Sequence, residues 1–545
     1  MNMAYQPSYV SESSGRFDKP LVENTLTFDE KFGKHAINVM VGNSYQKETY
    51  NQISGEIQDI LQTSSGKYYD VMDAGTSLPQ AGGYRNVAVL LSYLGRLNYT
   101  YDDKYLLTAT FRRDASSRVK KENRWGNFPS ISAAWRISKE RFFAPVKWVD
   151  DLKVRASYGT LGSLNIGYWD YAPVINTFLT ATFGTEQLQQ NAAIQTNLVN
   201  ENLKWESQTQ LDFGFDATAF NNRLTFSADY YISKTKDVLT AMPILMTTGN
   251  GAGNPVVNAA SLENRGFEFS LGWREKRKDF SYYASLNFST VKNKVTSLGY
   301  GRVDIISGQG RTAVGRPIGE FYLIKTDGIF QNDDEIQSYK NSEGKVIQPD
   351  AKPGDIKYID FNDDGKITDA DRQVLGSPHS LFQAGINMGF AWKNFDLKMN
   401  WFMDIGSDVF NATKQYMIGA DAAGNGDSNY LKNFNYWTPE RPTNIPRPIA
   451  GKITNRRDSD YWLENGSWVK LKTLSIGYTI PEKLLHKIHF NTCRVYVTCQ
   501  NLLTISSFSM QDPEYRKDNI WNKGYRGVAA YPNPFAINFG VQFQF

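Results

Sequence analysis

The segment FDLKMNWFMDI occupies residues 395–405. Phe395, Leu397, Met399, Trp401, Met403 and Ile405 fall on one side of an extended chain. Asp396, Lys398, Asn400 and Asp404 fall on the other, with Phe402 an apolar exception. Side chains of a strand point alternately to opposite faces, so this is a strand with one apolar and one polar face. The same pattern recurs in LDFGFDA (211–217), RLTFSADYYI (223–232) and GFEFSLGWR (266–274).

Working outward from these segments, alternation predicts about fifteen strands: 20–31, 35–50, 88–101, 104–116, 126–139, 149–163, 205–219, 222–239, 260–274, 278–298, 380–393, 395–407, 466–480, 490–505 and 535–545. Most exceed ten residues. Strands of globular proteins centre on ~5 to 6 residues, whereas a strand that crosses a bilayer needs ~9 to 11. The connections alternate in length. Short turns fall near Phe32-Gly33, Asp102-Asp103, Phe142–Trp148, Asn221-Asn222, Glu275–Lys278, Asn394 and Pro481–His489. Long loops cover 51–87, 164–204, 240–259, 299–379, 408–465 and 506–534, and on that side only 117–125 is short. Short periplasmic turns and long extracellular loops are the plan of an outer-membrane barrel. The chain ends on AINFGVQFQF, where Ile537, Phe539, Val541, Phe543 and Phe545 share one face, as a C-terminal assembly strand would. The expected fold is therefore an all-β transmembrane antiparallel barrel.

Composition agrees. The 545 residues hold 32 Phe, 31 Tyr and 12 Trp, and the 60 Lys and Arg nearly balance the 56 Asp and Glu. Abundant rings exclude disorder, the small net charge argues against a nucleic-acid partner, and no apolar run approaches the ~18 to 20 residues of a membrane helix. Cys493 and Cys499 lie about 20 Å apart along one predicted strand, too far to bridge. They share a face with Val495 and Val497, which makes them lipid-facing and inert. The N-terminus has no basic patch followed by an apolar core, so it is not a signal peptide.

The sharpest local motif is DFNDDGKITDAD, 360–371, inside the long loop 299–379. Asp360, Asn362 and Asp364 stand at positions 1, 3 and 5, Gly365 at 6, Lys366 at 7, Thr368 at 9 and Asp371 at 12. Oxygen ligands at this spacing wrap a calcium ion, and a glycine at 6 permits the sharp turn. Asp at 12 in place of Glu makes the segment similar to a dockerin-type loop; the alternative is a solvated acidic turn. A structural Ca2+ is the one cofactor the sequence suggests. Aromatic pairs in the outer loops, Tyr168-Trp169, Tyr436-Trp437 and Tyr461-Trp462, and also Trp521, suit stacking on sugars or simply loop packing. His486 and His489 are three apart with no third ligand nearby, which argues against zinc. No GxSxG, HExxH or phosphate-loop motif occurs, so no catalytic residue is assigned.

Several segments together resemble the SusC/RagA-type branch of the TonB-dependent outer-membrane transporters. They are LVENTLTFDEKFGKHAINVMVG (21–42), YLLTATFRRDASSR (105–118), FPSISAAWRISKERF (128–142), LKVRASYGTLG (152–162), the stretch 200–239, ASLENRGFEFSL (260–271), GRPIGEFYLIKTDGIF (315–330), PGDIKYIDFNDDGKITDADRQVLGSP (353–378), ENGSWVKLKTLSIGYTIP (464–481), VTCQNLLTIS (497–506) and DPEY (512–515). The resemblance implies import of oligosaccharides or peptides, a SusD-like surface lipoprotein as partner, the TonB complex as motor, and the barrel assembly machinery and outer-membrane lipid as surroundings. It also implies that residues 1–545 are the barrel portion of a 22-stranded design, without signal peptide, TonB box, plug or first strands, and inactive alone. A passive porin and a soluble carbohydrate-binding β protein are the other readings.

Overall fold

In a computed structural model of the chain, residues 7–544 are described except 186, 196, 243, 245–253, 300, 302–303, 419–434, 448–453, 486–489, 511, 515–516 and 528–531. Phe545, His486 and His489 lie outside the described residues. The chain divides into two compact units. Unit 1 is Met1–Trp135, Ser157–Gln210 and Thr235–Ala260; unit 2 is Arg136–Ala156, Leu211–Lys234 and Ser261–Phe545.

Seventeen strand segments carry the main antiparallel ladders. Two pairs of segments run end to end along one neighbour, which leaves fifteen long strands, each at a place the alternation predicts. They are β1 (Tyr9–Asp18 continued by Leu21–Phe32), β2 (His35–Gln58), β3 (Gln80–Tyr101), β4 (Tyr105–Ser116), β5 (Trp125–Arg136), β6 (Val149–Ser163), β7 (Glu206–Ala219) and β8 (Leu224–Ala241). They continue as β9 (Val256–Arg277), β10 (Phe280–Ser289 continued by Lys292–Leu298), β11 (Phe382–Trp392), β12 (Phe395–Ile405), β13 (Trp468–Thr479), β14 (Thr492–Ser506) and β15 (Ala536–Gln544). The break in β1 falls at Pro20, which has no N–H to give a ladder.

Two expectations needed correction. The first strand starts at Tyr9, not at 20, and pairs Tyr9 with Gln58 in β2. The predicted loop 51–87 shrinks accordingly, because β2 runs to Gln58 and β3 starts at Gln80. Alternation is weak there, since polar residues occupy both faces and only pairing with a neighbour shows the strand.

The register keeps apolar side chains together across strands. In unit 1, Tyr101 faces Tyr105, and Tyr105 faces Trp135. In unit 2, Phe269 faces Phe288, Leu397 faces Ile476, and Val497 faces Phe539. Phe215, Phe226, Phe269, Phe288 and Phe382 form a continuous row of rings with centroid spacings of 5.6, 6.5, 5.0 and 5.3 Å. Phe539, Val541 and Phe543 share the apolar face of β15, as expected, and are 81%, 55% and 50% exposed. Cys493 and Cys499 stand opposite Phe543 and Ile537 on that face, but Cys493 is buried rather than open. Tight turns use the left-handed backbone at Gly33, Asp102, Asp103, Asn221 and Asn222, a conformation that glycine, asparagine and aspartate tolerate best.

A charge placed in the phenylalanine row would have no partner in lipid. Phe269→Arg is expected to cost about 2–4 kcal/mol of folding stability, against little for Ser270→Arg on the polar face. Urea titration of folding into lipid vesicles checks this.

Candidate functional site

Three of the segments expected as loops are folded. In unit 2, residues 304–376 form a four-stranded sheet from Asp304–Ser307, Gly310–Ala313, Glu320–Ile324 and Arg372–Gly376. A short ladder joins Thr326–Ile329 to Ile356–Tyr358. A second four-stranded sheet draws on two different loops: Leu463–Asn465, Asp408–Asn411, Asn522–Arg526 and Lys517–Asn519. Phe410 pairs in parallel with Tyr525 across it, with their rings stacked at 6.0 Å.

A common core fills the space between these sheets. Phe321, Leu323, Ile356, Tyr358, Phe410, Ile418 and Trp462 are almost fully buried, with Tyr436, Tyr461 and Tyr525 packed on them. Burying one such side chain stabilises by ~1.5–3 kcal/mol, so these loops carry a core of their own. We call this assembly the outer cap.

Polar groups lock it. The Arg447 guanidinium holds Asp355 at 2.7 and 3.1 Å, and the Asn455 amide donates to the same carboxylate at 3.2 Å. Gly354 takes φ +92, and a Cβ there would strike Trp437 at 2.6 Å. The strongest lock joins the cap to β13. Lys470 is 2% exposed, and its ammonium donates to Asp512 at 2.5 Å and to Glu514 at 2.8 Å. Lys472 also reaches Glu514, and the Arg526 guanidinium donates to the Asp512 carbonyl. Both ammonium groups lie over the Trp468 ring, at 5.2 and 5.4 Å. Burial raises the pKa values of Asp512 and Glu514, but hydrogen bonds and charge from the lysines outweigh it and hold both below the usual carboxylate range.

The aromatic candidates separate. Trp462, Trp521 and Trp437 are 0%, 6% and 7% exposed. The Trp462 indole donates to the Arg457 carbonyl and the Trp437 indole to Gln331. Rings covered by protein offer no face to a substrate, so for these three the structure corrects the expected sugar-stacking role to core packing. Tyr436 and Tyr461 are half-buried in the same core, with the Tyr461 hydroxyl on the Asn444 carbonyl. In unit 1, Trp169 is 48% exposed and donates to Asn86, while Tyr168 lies under the Arg118 guanidinium at 4.7 Å. Arg118 also holds Glu48 at 2.6 Å.

Alternation marks one face of the strands as polar, Asp212 and Asp229 among its residues, without showing which groups meet. In unit 1 a cavity of about 680 Å3 sets hydroxyl and amide side chains such as Thr108, Ser130, Ser157, Gln208 and Gln210 beside the apolar Phe128, Ile131, Tyr158 and Leu161, with Arg112 and Asp114 also in its lining. In unit 2, Arg155 binds Asp212, Asp216 and Asp229 at 3.3, 3.1 and 2.6 Å. Gly214 makes that approach possible, since a Cβ there would lie 2.4 Å from Arg155. The signal was a polar residue at every second position; which ones meet needed the register.

The 360–371 loop turns sharply, with Gly365 at φ +74. Asp360 accepts from the amides of Asp364 and Gly365, and Asp371 from those of Phe361, Asn362 and Thr368. Asp364 accepts from the Lys366 amide. Each carboxylate is thus turned to main-chain donors. Among the described residues no three acidic, histidine or cysteine groups converge as a metal site.

The lysine lock predicts an acid-sensitive cap. A depressed folded-state pKa gives stability that is present above the ordinary carboxylate values of 3.8 and 4.5 and is lost as pH falls through the folded ones. Protection of the amides in 517–526 against hydrogen exchange, relative to the intrinsic rate at each pH, is expected to hold from neutral pH down to about 5 and to fall below about 4. Lys470→Met, which takes the ammonium from Asp512 and leaves Glu514 with Lys472 as its cation, is expected to free the same amides at neutral pH, at a cost of about 3–5 kcal/mol.

The family described as "TonB dependent receptor-like, beta-barrel" matches residues 3–502. TonB-dependent receptor P3 of Formosa agariphila is 33% identical over 96% of this chain and 52% of its own length. TonB-dependent receptor SusC of Bacteroides thetaiotaomicron is 28% identical over 86% and 45%. The chain therefore spans about half the length of the curated relatives it matches. Among solved structures, the RagAB peptide transporter superposes with a TM-score of 0.80 at 24% identity, over 98% of this chain and 56% of that one. With ladders, alternation and match in agreement, the chain belongs to the TonB-dependent receptor family of the outer membrane, as its antiparallel β-barrel part.

Proposed function

We propose that the protein imports a large nutrient, an oligosaccharide or a peptide, across the outer membrane, with TonB as motor and a SusD-like surface lipoprotein as partner. The folded outer cap carries this reading. A pore that only passes small solutes has no need of loops with a core of their own, whereas a protein that docks a partner and a bulky ligand needs a fixed outer surface. The unit 1 cavity, with hydroxyl and amide groups set among apolar and aromatic side chains, suits a ligand that offers both hydrogen-bonding groups and apolar faces. Exposed apolar side chains on the outer segments of unit 1 suit the lipoprotein: Leu61, Tyr68 and Leu78, and Ile175, Leu188 and Ile194 on a hairpin at 175–195, are each more than half exposed. Tyr168 and Trp169 are the aromatic pair with a surface to offer substrate. We assign the chain no catalysis of its own.

The test is uptake by the native protein. Import is expected to vanish in a strain without TonB, and affinity purification from the native membrane is expected to recover a lipoprotein. Import that persists without TonB would make the protein a porin. Recovery of no lipoprotein would remove the docking role.

Calcium at 360–371 is a proposal of the same kind. The wrapped backbone and Gly365 favour it, and the carboxylates would have to share their amide contacts with the ion. A calcium-dependent rise in the unfolding temperature, reversed by chelator and absent in Asp360→Asn/Asp364→Asn, is expected; no shift in the parent protein removes the ion.

A further inference from the structure

The short turns of unit 2 gather groups that neither import nor docking uses. Trp148 follows one turn, Phe220 opens the next, and Trp273 lies in the last part of β9. Their rings stand in a row, 5.7 Å from Trp148 to Phe220 and 6.0 Å from Phe220 to Trp273. Trp148 is 59% exposed. This row closes the apolar face on the side of the short turns, where indoles mark the level of lipid headgroups.

Just beyond the rings the charge is basic and incompletely matched. The turns 137–148, 220–223 and 275–279 carry seven basic and three acidic residues. Glu275 lies between two guanidiniums, Arg277 at 2.8 Å and Arg223 at 3.9 Å. The Tyr282 hydroxyl takes another of its lone pairs, and the Trp273 indole in turn donates to that hydroxyl. One carboxylate thus faces two guanidiniums, whose side chains are 77% and 50% exposed. Each keeps N–H donors turned to solvent. A guanidinium binds phosphate oxygens in forked pairs.

We propose that Arg223 and Arg277 bind the phosphate of an anionic glycerophospholipid of the inner leaflet, with its glycerol backbone on the Trp148–Phe220–Trp273 row. The phosphate supplies the negative charge the triad lacks. The acyl chains continue along the apolar face toward Phe226 and Phe269. The occupant is a lipid because the exposed cations are tied through Glu275 and Tyr282 to the Trp273 end of a ring row on the lipid-facing surface, and it is an inner-leaflet lipid because the short turns are the periplasmic side.

Native mass spectrometry of the protein extracted from its own outer membrane tests this, with phosphatidylglycerol and phosphatidylcholine of identical chains as probes. The parent protein is expected to retain phosphatidylglycerol over phosphatidylcholine. Arg223→Gln/Arg277→Gln is expected to reduce that retention about tenfold. Glu275→Gln, which removes the competing carboxylate, is expected to increase it; a merely structural triad predicts no gain. Folding of each variant is checked by its heat-sensitive gel mobility. Equal retention of the two lipids, or an unchanged preference in the double variant, overturns the proposal. So does displacement of phosphatidylglycerol by lipid A, which would place the phosphate source in the other leaflet.

Discussion

A backbone in hydrocarbon has no water to satisfy its N–H and C=O groups, so each must be paired by another strand. Everything regular in this chain follows from that constraint. It forces strands to continue through the full thickness of the bilayer, and β2 reaches 24 residues by extending well beyond it. It forces turns to be tight where there is nothing to build, and left-handed residues appear there. It also fixes which side chains meet lipid: a slip of one residue would send Asp396 and Lys398 into the apolar layer and Phe395 and Leu397 into the polar one. The Arg494 guanidinium closes on Asp396 at 2.6 and 2.8 Å across the polar face, so the register is held from both sides.

Outside the bilayer the constraint lifts, and a different principle takes over. Chain beyond the strand ends is stabilised only by what it can bury or pair. The outer cap does both: the core around Phe410 and Trp462 holds its sheets together, and the lysine lock ties the 506–527 arm to β13. Lys470 belongs to a strand and Asp512 to a loop 42 residues later. Removing water from that cluster is costly, and the cost is met only while all partners are in place. The lock is therefore brittle in a way the apolar core is not. It makes the cap a unit that leaves β13 together or stays.

Period-2 alternation made the membrane strands legible because the physics that selects the residues is local and repeats at every second position. All fifteen were readable before any pairing was known. The cap was not, because its order comes from contacts distant in sequence. Phe410 and Tyr525 are neighbours in a parallel pair, and nothing in either segment names the other. The same blindness misplaced the loop tryptophans. Trp437, Trp462 and Trp521 stand beside polar residues in segments that look like exposed loops, and a ring there suggests a ligand. They are instead the core that makes the segments ordered. Trp169 has similar neighbours and is exposed; only packing separates the two cases. The WVKLK and DPEY segments were recognised as family pattern, but not that Lys470 and Lys472 meet Asp512 and Glu514. Lys470 and Lys472 stand two apart on one face of β13, which lets both reach Glu514, but nothing in either segment names the partner.

The two ends of the chain's strands are thus built on opposite terms. On the long-loop side, segment 299–379 carries fourteen acidic and ten basic residues, and several of them close internal locks, as Asp355 does with Arg447 and Asp304 with Arg311. On the short-turn side there is too little chain to form a core, so charge cannot be buried and is left facing outward, with more cation than carboxylate. A surface whose cations outnumber the carboxylates beside them must take the rest of its counter-charge from its surroundings. For a turn that emerges beside lipid headgroups, the nearest counter-charge is a phosphate. The difference in loop length therefore decides more than topology: it decides which end of the strands balances its charge within the chain and which depends on the membrane to do so.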